Sequence, residues 1–246
     1  MLIALFADIH ANRQAFSACL AKAREQGAER IILLGDYVGY GADPEWTVNT
    51  VMELVGKGAT AILGNHDSAI GNPREQMNVE AQMVIEWTRG ELGSAQREFL
   101  AGLPLTRDED DRLYVHSDAS NPKNWIYVKS ATEAARSLSA TPVQITFCGH
   151  IHQPALYSMS ATAKMTSFTP TSDIAIHLQP GRRWLVVLGS VGQPRDGNPA
   201  AAYVMLDTER REITYCRAAY DVEQAAAAIR KKGLPIWLAD RLLAGH

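Results

Sequence analysis

At 246 residues, with 46% apolar and 21% charged residues and a net charge of −3, the chain has the make-up of an ordinary globular protein large enough for one sizeable core. That near-neutral balance supplies no basic field for tracking a nucleic-acid backbone, and no uninterrupted apolar run approaches the ~18 residues of a membrane span. Cys19, Cys148 and Cys216 are few, odd in number and flanked by apolar residues; they read as reduced core thiols, and the expectation is a cytoplasmic protein built as one domain over 1–246.

The opening run "LIALFA" has no basic flank and meets Asp8 early, so it reads as a buried strand and not as a leader. In "NRQAFSACLAKAREQG" Phe16, Cys19, Leu20 and Ala23 share one helical face, and Gly27 supplies the stop. "RIILL" is the next strand. Asp43 before Pro44 predicts a second helix, a capping residue ahead of one whose missing N–H costs nothing there. "TAIL", "LYV" and "QITFC" are further short strands, and "SATEAARSL" places Ser130 and Glu133 at capping-box spacing. Strands alternating with helices predict a layered α/β fold. Beyond His152 the texture changes. "ALYSMS", a Ser/Thr-rich tract to about residue 173, then "IAIHL", "RRWLVVLG", "AAYVML" and "REITYC" follow one another without helices. Their closeness, with turns at Pro180-Gly181 and around Thr208, predicts antiparallel pairing and allows a second sheet. "VEQAAAAIRKKG" and "IWLADRLLAG" close the chain as two helices.

Reactive side chains recur at one place on this map. "LIALFA" ends in Asp8-Ile9-His10, "RIILL" in Gly35-Asp36, "TAIL" in Gly64-Asn65-His66-Asp67, "LYV" in His116, and "QITFC" in Gly149-His150-Ile151-His152. Five of the seven histidines sit at these strand ends; His177 and His246 do not, and read as satisfied or solvated. In a parallel sheet such ends line up along one edge, so Asp8, Asp36, Asn65, His116, His150 and His152 are expected to converge. The i and i+2 members of Asp8-x-His10 and His150-x-His152 point to one side where the backbone stays extended. Seven ligands are too many for one tetrahedral ion and suit two cations bridged by a carboxylate. Only Asp8 and Asp36 are anionic, so two divalent ions would leave the site positive, attract a phosphate ester and supply hydroxide near neutral pH. An imidazole-rich set without thiolate favours Mn, Fe, Zn, Co or Ni over Mg or Ca.

"DIH", "GDYVGYG", "GNHD", "VH" and "GHIH", in that order at strand ends from Asp8 to His152, resemble the signature of the calcineurin-like metallophosphoesterases. "GSVGQPRDGNPAAAYVMLD" further resembles a bacterial and archaeal branch related to the YfcE-type phosphodiesterases. The resemblance implies two facing β-sheets flanked by helices, a four-layer sandwich, with two divalent or trivalent metal ions at one edge, manganese among the candidates. It implies one metal on Asp8, His10, Asp36 and His152 and the other on Asp36, Asn65, His116 and His150, with Asp36 bridging. His66 resembles the histidine that protonates the leaving-group oxygen, with Asp67 orienting or polarising it. A metal-bridging hydroxide would attack phosphorus in line, and Gly64 and Gly149 would let the backbone approach closely.

Two positions depart from the pattern. "VHSD" has Ser117 where the family commonly has glycine, and "GDYVGYG" lacks the arginine of Gly-Asp-x-Val-Asp-Arg-Gly, which argues against a protein phosphatase or a dinucleoside tetraphosphatase of that branch. Asn12 and Arg195 are candidate contacts to substrate oxygens; for Asn12 the competing role is a helix N-cap, for Arg195 a structural salt bridge. The expected function is phosphodiester hydrolysis on a small, nucleotide-like ester. The alternatives are a phosphomonoesterase, a nuclease, which the lack of a basic, aromatic-interleaved groove ranks lower, or a non-catalytic metal-binding scaffold, which has no need of His66.

Overall fold

A computed structural model of the chain describes residues 1–72 and 79–246, and of residues 79 and 80 the backbone alone. In chain order its first half contains β1 (Leu2–Phe6), α1 (Arg13–Glu25), β2 (Arg30–Leu33), α2 (Pro44–Gly56), β3 (Thr60–Ala61), α3 (Asn65–Gly71), α4 (Val79–Glu91) and α5 (Ser94–Ala101). Then come β4 (Thr106–Glu109), β5 (Arg112–Val115), α6 (Ala131–Ser139), β6 (Ile145–Cys148), β7 (Ala155–Met159), β8 (Met165–Phe168), β9 (Ala175–His177), β10 (Arg183–Val187), β11 (Ala201–Asp207), β12 (Glu212–Ala218), α7 (Val222–Lys231) and α8 (Ile236–Ala244).

The first strand dictates the layering. Ala4 and Phe6 join a cluster that includes Phe16 and Cys19 of α1 and Val48 and Val51 of α2, whereas Ile3 and Leu5 join one that includes Tyr114, Phe147 and Val186 of other strands. A strand apolar on both faces needs cover on both, here helices on one side and a second sheet on the other. Val115, Leu138 of α6, Tyr157 and Leu185 form the outer layer beyond that second sheet. The result is helix, sheet, sheet, helix, the architecture the sequence predicts.

Each sheet has six strands. One runs β3-β2-β1-β11-β12-β9, the other β4-β5-β6-β10-β7-β8. In the first, β1, β2 and β3 are parallel, and β11, β12 and β9 add in antiparallel fashion. In the second, β5, β6 and β10 are parallel, with β4, β7 and β8 antiparallel at the flanks. The expected antiparallel pairing of the second half therefore holds except at β10, which lies parallel to β6. The five ligand-bearing strand ends also belong to two sheets, β1, β2 and β3 in one and β5 and β6 in the other; the ends meet because the sheets face each other.

Local signals act as their chemistry predicts, with two adjustments. The buried face of α1 is Ala15, Phe16, Cys19, Leu20 and Ala23, and Gly27 follows it at φ +83°. Asp43 occupies the N-cap position of α2, yet its side chain makes no capping bond; its carbonyl instead accepts from both the amide and the hydroxyl of Thr47. Ser130 caps Glu133, while the Glu133 carboxylate accepts from Lys129, one residue before the cap, at 2.6 Å. All three cysteines are buried and free. No helix among the described residues is long and apolar enough to cross a membrane.

Candidate metal centre

The parallel strands of both sheets deliver their C-terminal ends to one crevice. Beyond β1 stand Asp8 and His10; beyond β2, Asp36; at the start of α3, Asn65 and His66; beyond β5, His116; beyond β6, His150 and His152. All but Asn65 are buried. The extended i, i+2 geometry expected for the paired motifs is not what aims them. Asp8, His10, Asp36, His150 and His152 all adopt left-handed backbone conformations, with φ of 55°, 48°, 55°, 70° and 62°. Such residues cost of order 1–3 kcal/mol each and persist where the surroundings over-determine them, a pattern that clusters at functional sites. Here the surroundings are cross-strand bonds: Asp8 N–H donates to Gly35, His10 N–H to Asp36, and His150 N–H to the Asp8 carboxylate at 2.9 Å. Gly64 and Gly149 permit this closeness, since a Cβ on Gly64 would fall 2.2 Å from Asp36 Oδ1 and one on Gly149 2.6 Å from Asp8 Oδ2.

Each of the four candidate ligand imidazoles is oriented by a main-chain carbonyl, which can only accept. His10 Nδ1 lies 3.0 Å from Val38 O, His116 Nδ1 2.7 Å from Leu34 O, and His152 Nδ1 2.7 Å from Gln193 O. Those nitrogens carry the proton; burial keeps His10 and His152 neutral, so their Nε2 lone pairs are bare and turned inward. His150 is reversed, with Nε2 donating to Trp125 O at 2.8 Å and Nδ1 as its free lone pair. The consequence is sharpest between His10 and His152, whose Nε2 atoms approach to 3.0 Å with no proton between them. Two facing lone pairs repel; a shared cation makes the contact favourable, and 3.0 Å suits two neighbouring nitrogens each ~2.1 Å from one ion. Three groups could hold an ion, Asp8/His10/His152, His10/Asp36/His66 and Asp36/His116/His150, their ligand atoms within 4.8 Å of one another in each. Asp36 links them, its Oδ2 3.7 Å from His10 Nε2 and 3.3 Å from His116 Nε2, and Asn65 Oδ1 lies 3.2 Å from His116 Nε2. The donor set fits divalent transition metals.

Comparison with known proteins agrees. The model of the calcineurin-like phosphoesterase superfamily domain matches residues 1–211. The chain belongs to that superfamily. An uncharacterized protein of Methanocaldococcus jannaschii is 30% identical over 252 aligned positions, covering 100% of this chain and 98% of its own. A crystal structure of a metallophosphoesterase from Sphaerobacter thermophilus superposes with a TM-score of 0.88 at 31% identity, over 100% of this chain and 99% of that one. A hypothetical protein of Pyrococcus horikoshii shares the fold, with a TM-score of 0.80 at 19% identity over 100% and 98% of the two chains.

The charges in this phosphoesterase site oppose one another. Burial raises Asp8 to about 7, Asp36 adding to the effect and His116 countering it. Asp36 feels the same burial, but His116, His66 and His10 outweigh it and hold the carboxyl well below its ordinary range. Burial holds His10 and His152 well below the usual imidazole value and takes His150 to about 3 and His66 to about 4, whereas Asp36 and Asp8 overcome it at His116 and raise that ring to about 9.

Asp67 and Asn12 are both engaged in structural hydrogen bonds. Asp67 makes no hydrogen bond to His66: its carboxylate accepts the main-chain N–H groups of Asp36 at 2.7 Å, Tyr37 at 2.9 Å, Gly64 at 3.1 Å and Val38 at 3.3 Å, while His66 Nδ1 is buried without a hydrogen-bond partner among the described residues. Asn12 is spent on structure. Its Oδ1 caps Ala15 at 3.1 Å, and its amide donates to Gly192 O at 2.9 Å and Tyr220 Oη at 3.3 Å. Arg195 does face the site. Its guanidinium lies over Tyr40, 5.6 Å from the ring centroid, bonds the neutral Gln193 Oε1 at 2.7 Å, and meets no carboxylate at ion-pair distance among the described residues. Sequence reasoning missed Tyr40, Trp237 and Tyr127. Tyr40 stands 4.6 Å from both His10 and His66, and Tyr127 stacks on His150 at 4.2 Å. It missed Ser190 and Gln193 too, although they follow a sixth parallel strand, β10; that strand's end carries neither histidine nor carboxylate to flag it. Trp125 lies against His116 at 5.9 Å, whereas Trp46 packs on Phe16 and Trp87 on the C-terminal helices.

Proposed function

We propose that this phosphoesterase is a dinuclear-metal enzyme that hydrolyses a phosphodiester by in-line displacement at phosphorus, with His66 as general acid. The observation that carries the reading is the pair of bare His10 and His152 lone pairs 3.0 Å apart, held there by main-chain carbonyls. One ion would be held by Asp8, His10, Asp36 and His152 and the other by Asp36, Asn65, His116 and His150. Two such ions supply hydroxide near neutral pH and neutralise charge on the phosphoryl oxygens.

The rest is the protein's own work. The left-handed turns fix the ligands before any substrate arrives, so no reorganisation accompanies the reaction. Arg195, which meets no carboxylate among the described residues and bonds the neutral Gln193 Oε1, can offer its remaining donors to a phosphate oxygen. Aromatic rings stand on both sides of the cluster, Tyr40 beside His10 and Tyr127 beside His150, so an organic group on either side of phosphorus meets an apolar surface, as a diester requires. His66 stands next to Tyr40 with its main-chain N–H on Asp36 Oδ1 at 2.9 Å, so the departing alkoxide is protonated on the Tyr40 side. Burial leaves His66 neutral at pH 7 in the free protein, and an anionic phosphate beside it favours the charged form. The acid pKa seen in kcat should therefore lie above that seen in kcat/KM.

The test is His66→Ala on manganese-loaded protein. Loss of a general acid should lower kcat on an alkyl-leaving diester by about 100-fold or more, and far less on a p-nitrophenyl ester, whose leaving group departs without a proton. Equal losses on the two would remove the acid from the scheme.

A further inference from the structure

Helix α8 lies beyond residue 211, where the match to the superfamily domain ends, yet it reaches the site at two points. Near its N-terminus, Trp237 packs edge-on against Tyr40 with ring centroids 6.4 Å apart, and Tyr40 in turn stands 4.6 Å from His66 and His10. Past its C-terminus, Gly245 O accepts from Gly197 N–H at 2.9 Å, which ties the helix to the loop bearing Arg195. That loop is itself joined to the ligands: Arg195 N–H donates to His152 O at 3.1 Å, and Gln193 O fixes the His152 tautomer. Cations top both rings, Arg195 over Tyr40 and Arg241 over Trp237 at 4.6 Å, and both rings are partly exposed.

We propose that α8 supplies the specificity wall of the leaving-group side, with the edge-to-face rings of Trp237 and Tyr40 as its aromatic lining and Arg195 as its cation, and that the leaving group it selects carries an aromatic ring, as a nucleoside does. The proposal rests on the phosphoesterase reading, because the proton donor His66 defines which side the leaving group occupies. A planar ring gains from aromatic contact, and a guanidinium stacked on a ring stays available in its own plane for phosphate oxygens. A ribose or alkyl group presents less flat surface to such a wall than a base does.

Calorimetric titration tests it without turnover. Manganese-loaded protein, with metal content measured, is titrated with inorganic phosphate, ribose 5-phosphate and adenosine 5′-monophosphate. The nucleotide should bind on the order of 10-fold or more tightly than ribose 5-phosphate, the scale of an aromatic–base stack. Trp237→Ala should erase that ratio, and Trp237→Phe, which keeps a ring and the helix packing, should preserve most of it. Equal affinities for the two sugar phosphates in the native protein, or a ratio unchanged in a folded Trp237→Ala variant, overturns the wall while phosphate binding leaves the site reading standing. If metal loads and not even inorganic phosphate binds, the phosphoesterase reading falls and the wall with it.

Discussion

Asp67 illustrates how residue type and residue role separate. A buried carboxylate that accepts four main-chain N–H groups is a clamp, and what it clamps is the loop that holds Asp36 between His10 and His116 in the candidate metal site. Asp67→Asn turns one oxygen into a donor facing other donors. It should cost roughly 3 kcal/mol or more of stability and weaken metal binding by about 10- to 100-fold, read by thermal melts and calorimetric metal titration. A variant that binds metal normally and loses only turnover would return Asp67 to the role of orienting His66. The same contrast explains how much of the site is legible in sequence. Asp8, His10, Asp36, Asn65, His116, His150 and His152 are visible because only a few residue types bind metal. The carbonyls of Leu34, Val38, Trp125 and Gln193, which set every ligand's tautomer, are invisible because any residue has one.

At the scale of elements, apolar pattern finds the strands written in apolar residues, exposed β9 included, and loses two that are polar. β4, reading "TRDE", and β8, inside the Ser/Thr-rich tract, are the outermost strands of the second sheet, where one edge faces no partner and polar residues are tolerated. β3 shrinks to two residues because Gly64 must turn toward Asp36 at once. α1 shows a cap with a second task, since Asn12 closes the helix and ties it to Gly192 in the loop after β10. Asn12→Ala should lower stability by about 1–2 kcal/mol in denaturant melts, a cap plus a buried acceptor left unmet, and should shift KM less than twofold. A KM that rises 10-fold with stability intact would restore Asn12 as a substrate contact.

For the whole molecule, the alternation of strands and helices predicts layering, and the two facing sheets are what the family resemblance implies; the apolar pattern by itself leaves the second sheet open. Side-chain patterns specify that a face is covered, not by which element. The buried site also shapes how the entire fold responds to acid. His10, His66, His150 and His152 are depressed by burial, so unfolding lets each take up a proton as the pH falls below about 6.5; Asp8 and Asp67, both raised by burial to about 7, oppose this by releasing one each on unfolding above their ordinary range. His116, raised to about 9, opposes as well but is charged in both states below about pH 6; between about pH 4 and 6 four groups stand against two, the unfolded chain binds more protons, and metal-free protein should lose stability as pH falls through that window. A flat or rising melting temperature on acidification would contradict it.

The central claim is that this chain is a metal-dependent phosphoesterase with a preference for diesters. The most direct measurement is turnover of a chromogenic phosphodiester and its matching monoester by protein stripped of metal and then reloaded with manganese, with bound metal counted. Stripped protein is expected to show no activity, and reloading to bring about two ions per chain and faster cleavage of the diester. Full binding of two ions with neither ester turned over would contradict it and leave the fold as a metal-holding scaffold.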